Sequence, residues 1–329
     1  MTSLVVIDEG SAQAKATFRT MDGAIVTRIV PSRIAEQAKV DLNGYDESAY
    51  FTEEGGEYTV NGDFDDIIRT NIPSYQTSEG NRALVHETLR LAGFGGQSVK
   101  VAVTLPMSQF FSKVQGAPIN QSLIAKKKRN VLGGIKSASG KALAEIIDCK
   151  VYPEGIPALF DTIRDDNGAL KPGYEEGMKI LVVDIGGTTT DVSVVTPSGT
   201  IEAYDSFSTG VLMVAERFAE LAAPEFGLKR IPRALAEASL KSGRLKNMDV
   251  SELVSRASRN VMKTILRELE AMVQTPALLD RVLIVGGGAA LMGRELSEEM
   301  GVGALIPENP DMAISRGIFK LETLKSTKH

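Results

Sequence analysis

Glycine turns that follow apolar strands carry the residues best suited to phosphate chemistry in this sequence. In residues 180–195 an apolar run ends at Asp184, and Gly186, Gly187 and three threonines follow before a second apolar run. The glycines leave backbone N–H groups open to an anion, and the threonines add hydroxyl donors. A carboxylate at the end of the first strand can hold a hydrated Mg²⁺. The stretch predicts a β-hairpin that binds a nucleotide phosphate with its metal, although an ordinary Gly-Gly hairpin has the same pattern.

The same layout occurs near the N-terminus and, in part, near the C-terminus. Residues 4–18 place Asp8, Gly10 and Ser11 after an apolar strand and before a second strand. Two copies in one chain predict a duplicated fold, with two phosphate-binding hairpins that face each other across a cleft. Farther along, the apolar strand 282–285 opens into three consecutive glycines and then a helical stretch. This order of motifs resembles the ATPase superfamily that includes actin, sugar kinases and heat-shock chaperones.

The composition excludes several classes of function. The chain has 329 residues, 43% of them hydrophobic and 24% charged, which suits two soluble domains with sizeable cores. Its net charge of −5 argues against non-specific DNA binding over most of the protein surface. A single cysteine excludes an internal disulfide, and with only two histidines, metal sites built on either residue are poor candidates. No signal peptide and no apolar run of membrane-spanning length is seen, so the expected compartment is the cytoplasm.

Hydrophobic periodicity predicts the elements that position these motifs. We expect three strands in residues 4–30. The more polar residues 31–78 predict a small inserted subdomain with a hairpin at 50–60. A helix is expected over 79–92, and His86 on this helix is expected at the surface or partly packed.

The middle of the chain holds a basic run and a constrained carboxylate. Residues 126–129 are all basic and predict the solvated face of a helix, with contact to an acidic neighbour or to nucleic acid as the alternative. Glu154 lies between Pro153 and Pro157 just before a predicted helix, so a rigid turn holds it where it could orient a water. An ordinary helix-start acid would have the same pattern. The polar residues 161–179 predict a linker.

The second half is predicted to be mostly helical after its first three strands. We expect a loop at 205–210 and then a helix over 211–223. Residues 211–271 form a second, helical inserted subdomain that includes a long helix over 251–273. Residues 313–320 predict a final helix that returns to the first domain.

Longer segments resemble the ParM/StbA family of bacterial plasmid-segregation actins. The resemblance covers nearly the whole chain, and its most specific parts are Thr-Leu-Pro at 104–106 and Pro-Glu-Gly-Ile-Pro at 153–157. The matching segments are 6–11 with Lys15, 103–111, 151–158 and 183–189, and the runs 126–129 and 285–289 also correspond.

The family implies an α/β, actin-like ATPase fold with two RNase-H-like lobes and a nucleotide cleft between them. Lobe I would comprise residues 1–165, including the insertion 31–78, with helix 313–329 returning to it. Lobe II would comprise residues 166–312, including the helical insertion 211–271.

The resemblance also implies a role for each matching residue, with ATP or GTP and Mg²⁺ as cofactors. Asp8 and Asp184 would bind the metal through waters. Glu154 and Asp184 are the implied catalytic residues, and Glu154 would position or activate the attacking water. The residues implied to hold phosphates are Gly10, Ser11 and Lys15 from one lobe and Gly186, Gly187, Thr188 and Thr189 from the other. The residues implied to line the nucleoside are Gly286, Gly287 and Gly288, with Glu216 and Arg217 near the base or ribose.

The implied function is a dynamic filament that separates plasmid copies. Hydrolysis of a γ-phosphate needs charge neutralisation and an in-line water more than a strong base, and the residues above would supply both. The implied partners are further copies of this chain and an adaptor protein bound to a centromere-like DNA site, with no direct DNA contact and no membrane. Two alternatives remain open at this point: a small-molecule kinase of the same superfamily, and a non-catalytic actin-like scaffold.

Overall fold

A computed structural model describes residues 2–62, 67–112, 118–273, 278–301 and 303–326. The chain divides into two compact units. The first combines Met1–Ala169 with Ile314–His329, and the second is Leu170–Ala313. The predicted segments 31–78 and 313–329 include positions 63–66 and 327–329, which lie outside the described residues.

The first unit is built on a mixed five-stranded sheet of order β11-β9-β1-β2-β3 and a smaller four-stranded sheet of order β10-β7-β8-β4. Its strands are β1 (Ser3–Glu9), β2 (Gln13–Arg19), β3 (Ile25–Pro31), β4 (Ile34–Ala35), β5 (Val40–Asp41), β6 (Gly44–Tyr45), β7 (Ala49–Thr52), β8 (Glu57–Val60), β9 (Ser98–Leu105), β10 (Ile135–Ser137) and β11 (Glu145–Pro153). β9 pairs in parallel with both β1 and β11, so the carboxyl ends of these three strands meet at one edge.

The three strands expected in 4–30 and the hairpin expected in 50–60 are confirmed as β1–β3 and β7–β8. The smaller sheet is not made from 31–78 alone, because β10 pairs with β7 from far along the chain. The β5–β6 hairpin pairs only with itself among the described strands, and Leu42 at its tip is fully exposed.

Four α-helices of the first unit are interspersed with these strands. They are α1 (Glu79–Leu91), between β8 and β9, α2 (Met107–Phe110) and α3 (Gln121–Leu132), between β9 and β10, and α4 (Ile156–Ile163), after β11. α1 begins where Ser78 Oγ accepts a hydrogen bond from Asn81 N at 3.2 Å, and α3 begins where Asn120 Oδ1 accepts one from Leu123 N at 3.1 Å. These caps satisfy N–H groups that the first helical turn leaves without an internal partner.

The second unit repeats the pattern of a hairpin plus a parallel strand. Its strands are β12 (Ile180–Ile185), β13 (Thr190–Val195), β14 (Ile201–Phe207), β15 (Arg244–Leu245), β16 (Met248–Asp249), β17 (Arg281–Val285) and β18 (Ala304–Leu305), and its helices are α5 (Val211–Glu225), α6 (Arg233–Ser242), α7 (Ser251–Met272) and α8 (Ala289–Met300). The main sheet has the order β14-β13-β12-β17-β18, with β12 antiparallel to β13 and parallel to β17. α5 and α7 bury apolar stripes in one core, in which Phe218, Ala257 and Ile265 are fully buried.

The last helix, α9 (Ala313–Ser326), packs on the first unit. Arg316 Nη2 lies 2.8 Å from Asp161 Oδ2, and Lys150 Nζ lies 2.5 Å from Glu322 Oε2. Gly317 lies so close to α4 that a Cβ atom there would overlap the carbonyl oxygen of Pro157. The final helix predicted over 313–320 is therefore confirmed and extends farther.

Three expectations about local structure were wrong. β14 continues to Phe207, where a loop was expected from residue 205, because residues 205–207 pair with β13 through Asp205, Ser206 and Phe207. The basic run 126–129 lies on α3, but it is not uniformly solvated, since Lys127 is 0% exposed. His86 is buried rather than superficial, at 6% exposed.

His86 and Cys149 are among the titratable side chains enclosed in the first unit. Burial lowers the pKa of His86 to about 4, so the imidazole is neutral at physiological pH. Cys149, on β11, is 2% exposed, and burial raises the pKa of its thiol to about 12. Within the described ranges, no helix combines the length and apolar character needed to cross a membrane.

Candidate functional site

The first hairpin turn follows an aspartate that is already paired. Asp8 lies opposite Lys15 across β1 and β2, and Lys15 Nζ is 3.3 Å from Asp8 Oδ2. Asp8 is 2% exposed and Lys15 is 12% exposed, so water screens this ion pair only weakly. The pair holds a carboxylate and an ammonium group at the carboxyl end of β1.

Two hydroxyl groups brace the backbone of this turn. Ser32 Oγ donates to the Gly10 carbonyl at 2.7 Å, and Thr70 Oγ1 donates to the Ser11 carbonyl at 2.7 Å. A Cβ atom on Gly10 would come within 3.1 Å of the Gln13 carbonyl, which favours glycine at this position. The turn is fixed in place while Gly10 and Ser11 remain partly accessible.

The second hairpin has the same shape but a different charge pattern. Asp184 lies opposite Asp191 across β12 and β13, and the two residues are 5% and 2% exposed. Thr189 Oγ1 donates to Asp191 Oδ2 at 3.2 Å. The hairpin therefore places two buried carboxylates on neighbouring strands beside its glycine turn.

Helix α5 begins against the backbone of this second turn. Val211 N donates to the Gly186 carbonyl at 3.0 Å, and Leu212 N donates to the Gly187 carbonyl at 2.8 Å. This approach requires glycine at position 210, where a Cβ atom would lie 2.6 Å from the Gly187 carbonyl oxygen. Gly210 was missed by sequence reasoning, because its role depends on a contact with a turn more than twenty positions earlier.

The three threonines of the turn are not equivalent. Thr188 and Thr189 are partly accessible, whereas Thr190 is fully buried and donates to the Thr209 carbonyl at 2.8 Å. The expectation that Thr190 offers its hydroxyl to a ligand was wrong, because that hydroxyl joins β13 to the segment before α5.

The third glycine turn packs against the strand that ends the second hairpin. A Cβ atom on Gly286, which has φ +84°, would overlap Asp184 Oδ1 and come within 2.5 Å of the Ile185 carbonyl oxygen. A Cβ atom on Gly288 would overlap the Ile185 side chain. Apart from its chain neighbours, no atom of the described residues lies within 4 Å of the Cβ position at Gly287. Gly286 and Gly288 therefore allow close packing beside Asp184, and Gly287 is the member of the turn that faces open space.

Glu154 lies at the end of β11, in the turn that leads into α4. Its backbone N donates to the Leu105 carbonyl at 2.9 Å, which extends the β9–β11 pairing by one residue. Gly155 follows with φ +76°, a conformation that glycine adopts readily. α9 packs on the next turn through the close contact between Gly317 and Pro157. The backbone around Glu154 is therefore held from two sides.

Thr104 connects the two carboxylates of the first unit. Its Oγ1 lies 3.0 Å from Asp8 Oδ1 and 3.5 Å from Glu154 Oε1. All three residues come from strand ends at the same edge of the sheet, which is where ligands bind in α/β sheets. The structure thus brings Asp8, Lys15 and Glu154 together in the first unit, and Asp184, the turn 186–189 and Gly287 together in the second.

Family models match both halves of the chain. Residues 3–165 match the model described as plasmid segregation protein ParM, N-terminal, and residues 182–298 match the model described as archaeal actin homologue MreB-like, C-terminal. Together the two matches confirm the predicted resemblance to the ParM/StbA family of actin-like proteins, with the ParM match confined to the N-terminal half. The four segments on which the sequence resemblance depended all lie inside these two matched regions.

Solved structures show the same fold. An archaeal actin homolog, Ta0583, has a TM-score of 0.75 at 17% identity, with 98% of this chain and 100% of that chain covered. A 15-stranded ParM filament from Clostridium botulinum gives a TM-score of 0.69 at 18% identity, covering 99% of each chain. Bacillus thuringiensis ParM with ATP gives 0.69 at 15% identity, covering 100% of each. The predicted α/β, actin-like fold is confirmed.

One characterised relative matches over a shorter stretch. The cell shape-determining protein MreB of Haemophilus influenzae is 26% identical in an alignment 169 positions long, which covers 42% of this chain and 48% of MreB. The chain therefore spans about half the length of this relative.

A buried ion pair beneath the first hairpin was not foreseen for this actin-like chain. Lys127 Nζ lies 2.5 Å from Glu9 Oε1, and both side chains are fully buried. Lys127 also donates to Gln76 Oε1 at 2.9 Å and to Asn81 Oδ1 at 3.0 Å. Burial raises the pKa of Glu9, and Lys127 opposes this shift. Charges buried this deeply are tolerated only where an opposite charge and hydrogen bonds compensate for the lost hydration.

The helical period of α3 carries a signal for the buried position of Lys127. Leu123, Lys127 and Val131 are four residues apart and so lie on one face. Val131 is buried in the core, which predicts an inward position for Lys127 as well. The basic residues on either side of Lys127 obscured that signal, because the run was interpreted as a single solvated face.

Glu216 and Arg217 lie on the exposed side of α5. Arg217 Nη1 is 2.7 Å from Glu220 Oε2, within the same helix, and its side chain is 55% exposed. The two residues are thus accessible to a ligand from solvent.

Proposed function

We propose that this protein is an actin-like nucleoside triphosphatase that polymerises into nucleotide-dependent filaments and segregates plasmid DNA in the cytoplasm. One observation carries the proposal: the Asp-x-Gly hairpin occurs in both units, with Asp8 and Asp184 each the penultimate residue of its strand. The fold supports a nucleotide ligand, because structures with this fold include a ParM with ATP and an archaeal actin homologue with ADP.

The two turns would bind phosphate oxygens. In the first unit Lys15 supplies a positive charge, and Gly10 and Ser11 supply accessible backbone and a hydroxyl group. In the second unit Gly186, Gly187, Thr188 and Thr189 are all partly accessible at the turn. Glycine backbone N–H groups and hydroxyl donors of this kind suit an anion.

The carboxylates fit a magnesium ion bound through waters. Asp8 and Asp184 offer oxygen ligands, which Mg²⁺ prefers, and the opposition of Asp184 to Asp191 is a charge pattern that a cation would stabilise. When bound, the ion would neutralise charge on the transferred phosphate. Asp8 would act from a position already fixed by Lys15 and Thr104.

Glu154 would orient the water that attacks the γ-phosphate. It lies close to Asp8 through Thr104, and α9 and β9 hold its backbone. Fixing a water in line with the leaving group lowers the barrier by positioning, so the role does not require a strong base.

The nucleoside would lie on the Gly287 side of the third turn, where Gly286 and Gly288 give the backbone its close packing. Glu216 and Arg217 would reach the base or the ribose from α5. This part of the proposal predicts that Glu216 and Arg217 affect nucleotide affinity and have little effect on the rate of hydrolysis.

Filament formation would link hydrolysis to movement. A nucleotide that binds one conformation more tightly shifts the population toward it, and hydrolysis removes that bias. We propose that triphosphate-bound subunits polymerise, that hydrolysis destabilises the polymer, and that an adaptor protein connects the filament to plasmid DNA. The 15-stranded ParM filament among the similar structures supports self-assembly for this fold.

The test is right-angle light scattering of the purified protein after addition of ATP and Mg²⁺, with phosphate release followed in parallel. We expect scattering to rise and then to decay as phosphate appears. Phosphate release without scattering would contradict the filament and favour an isolated hydrolase or a kinase. Scattering without phosphate release would favour a passive scaffold.

A matched pair of variants tests the role of Glu154. Glu154→Gln should slow phosphate release by about 10²-fold or more, since it removes the group that orients the water, and should leave ATP-induced scattering in place but lengthen its decay. Glu145→Gln changes an exposed glutamate at the opposite end of β11 and should behave as wild type. Equal rates in the two variants would refute the assignment of Glu154.

A further inference from the structure

We infer that Thr104 is a positioning residue for the hydrolysis proposed above, and that its hydroxyl group sets the orientation of Glu154 relative to Asp8. The inference rests on the proposed function, because it concerns the geometry of the same site. Thr104 belongs to the Thr-Leu-Pro segment of the resemblance, to which sequence analysis gave no role.

Thr104 lies at the carboxyl end of β9, the middle one of three neighbouring parallel strands. β9 lies between β1 and β11, and both neighbours run parallel to it. Asp8 comes from one neighbour and Glu154 from the turn after the other, so a side chain on β9 is placed to contact both. Thr104 is fully buried, with Oγ1 at 3.0 Å from Asp8 Oδ1 and 3.5 Å from Glu154 Oε1.

The position of the hydroxyl group is fixed by the backbone as well as by its own rotamer. Thr104 N donates to Glu9 Oε2 at 3.1 Å, and the fully buried Lys127 holds Glu9 in place. The next residue, Leu105, accepts the backbone hydrogen bond from Glu154. A β-branched side chain in a strand also has a restricted χ1 angle. The hydroxyl group therefore serves as a rigid reference point between two carboxylates.

The unequal distances suggest how the hydroxyl group acts. The hydroxyl has one hydrogen, so it donates to one carboxylate at a time and favours Asp8, which is nearer. Glu154 Oε1 lies at the limit of hydrogen-bond distance and accepts this hydrogen when the hydroxyl rotates away from Asp8. Removing the hydroxyl leaves Glu154 without this restraint and should disturb the alignment of the attacking water more than it disturbs nucleotide binding.

The experiment compares three single variants of the full chain by phosphate release at saturating ATP and Mg²⁺, by ATP affinity and by thermal unfolding. Thr104→Val keeps the shape and removes the hydroxyl, and Thr104→Ser keeps the hydroxyl. Thr88→Val makes the same chemical change at a fully buried threonine on α1, whose hydroxyl donates to the Leu84 carbonyl at 2.8 Å.

We expect Thr104→Val to lower kcat about tenfold or more, with the ATP dissociation constant changed by less than about threefold, as for loss of an interaction needed mainly in the transition state. Thr104→Ser should stay within about threefold of the wild-type kcat, and Thr88→Val should match wild type. A wild-type kcat in Thr104→Val, equal impairment of the valine and serine variants, or a loss of kcat in Thr88→Val as large as in Thr104→Val would overturn the inference.

The same data separate this inference from the proposed function. If the wild-type protein releases no phosphate, or if Glu154→Gln hydrolyses ATP at the wild-type rate, the proposed function fails and the inference fails with it. If the wild type is active and Glu154→Gln is not, but Thr104→Val is fully active, the inference alone fails.

Discussion

In the first unit Asp8 lies opposite Lys15 across its hairpin, whereas in the second unit Asp184 lies opposite Asp191. The backbone arrangement is the same: a strand, a glycine turn, a returning strand and a parallel third strand. The residue opposite the aspartate is positively charged in the first unit and negatively charged in the second. The first hairpin therefore contains its own counter-ion, and the second places two carboxylates side by side.

This difference separates two ways to build the hairpins that we propose bind phosphate. The first aspartate is held by protein groups, with Lys15 at 3.3 Å and Thr104 at 3.0 Å. The second is packed against Gly286 and lies opposite a like charge, Asp191, which repels it. We therefore expect the first hairpin to be preorganised by the fold and the second to depend more strongly on the metal and nucleotide.

The largest expected effect follows from removing the second aspartate. Asp184→Asn should slow ATP hydrolysis by about 10²–10³-fold, because it removes a carboxylate proposed to hold the metal next to the phosphates. The measurement is phosphate release over a series of Mg²⁺ concentrations. Asp205→Asn, an exposed change on β14 of the same sheet, is the control and should leave the rate unchanged. A wild-type rate in Asp184→Asn would break the comparison, since the second hairpin would then have no metal-dependent role.

The glycine beside Asp184 should be nearly as sensitive. Gly286→Ala is expected to destabilise the protein by about 3 kcal/mol, since an alanine at φ +84° is strained and its Cβ atom would overlap the Asp184 carboxylate. Gly287→Ala should change stability by less than about 0.5 kcal/mol, because that position faces open space. Urea unfolding of the two variants tests the contrast, and similar midpoints would contradict the packing described for this turn.

The two cross-strand partners should respond with opposite signs. Lys15→Met leaves the buried Asp8 without its cation and should destabilise the protein by about 2–3 kcal/mol. Asp191→Asn removes the like charge opposite Asp184 and should stabilise the nucleotide-free protein by about 0.2–1 kcal/mol. Both changes are measured by urea unfolding in EDTA. A shift of the same sign in both variants would show that the charge difference between the hairpins has no energetic consequence.

Acid should weaken the first unit through His86, while the second unit contains no histidine. The folded pKa of His86 is about 4, against an ordinary value of 6.5, so below pH 6.5 the unfolded chain binds a proton that the folded chain excludes. Stability is thus lost as pH falls from about 6.5 toward 4, by about 2 kcal/mol between pH 7.5 and pH 5.

The control for this prediction is His86→Gln, compared with wild type at each pH. Glu9, whose pKa burial raises, changes stability with pH in the opposite direction, but it does so equally in both proteins. The difference between the two pH profiles therefore reports on the histidine. Identical pH dependence in the two proteins would rule out His86 as the source.

Short local patterns predicted the fold well. The hairpins around Asp8 and Asp184 are encoded within about fifteen residues each, by an apolar run, an aspartate and glycines, and their strands form where expected. The strand ends at Leu105 and Pro153 and the helices α1, α5 and α7 follow equally local signals. The roles of the site residues stay predictions, since they concern a ligand and a reaction.

Contacts between distant positions could not be predicted in this way. Glu9 and Lys127 are more than one hundred positions apart, and nothing local marks either one as the other's partner. Gly210 is required by the carbonyl groups of another loop, and β10 joins a sheet whose other strands precede it by more than seventy positions. These features arise from packing between distant segments, which the sequence determines but which no local pattern in it reveals.

The buried thiol of Cys149 gives the chain a practical advantage for bioconjugation. Maleimides react with exposed thiolates, and this side chain is both enclosed and held protonated, with its pKa near 12. A cysteine introduced at the fully exposed Leu42, on the β5–β6 tip, would then be the reactive thiol of the folded protein. The wild-type sequence is in effect already a background-free template for attaching one fluorophore per subunit.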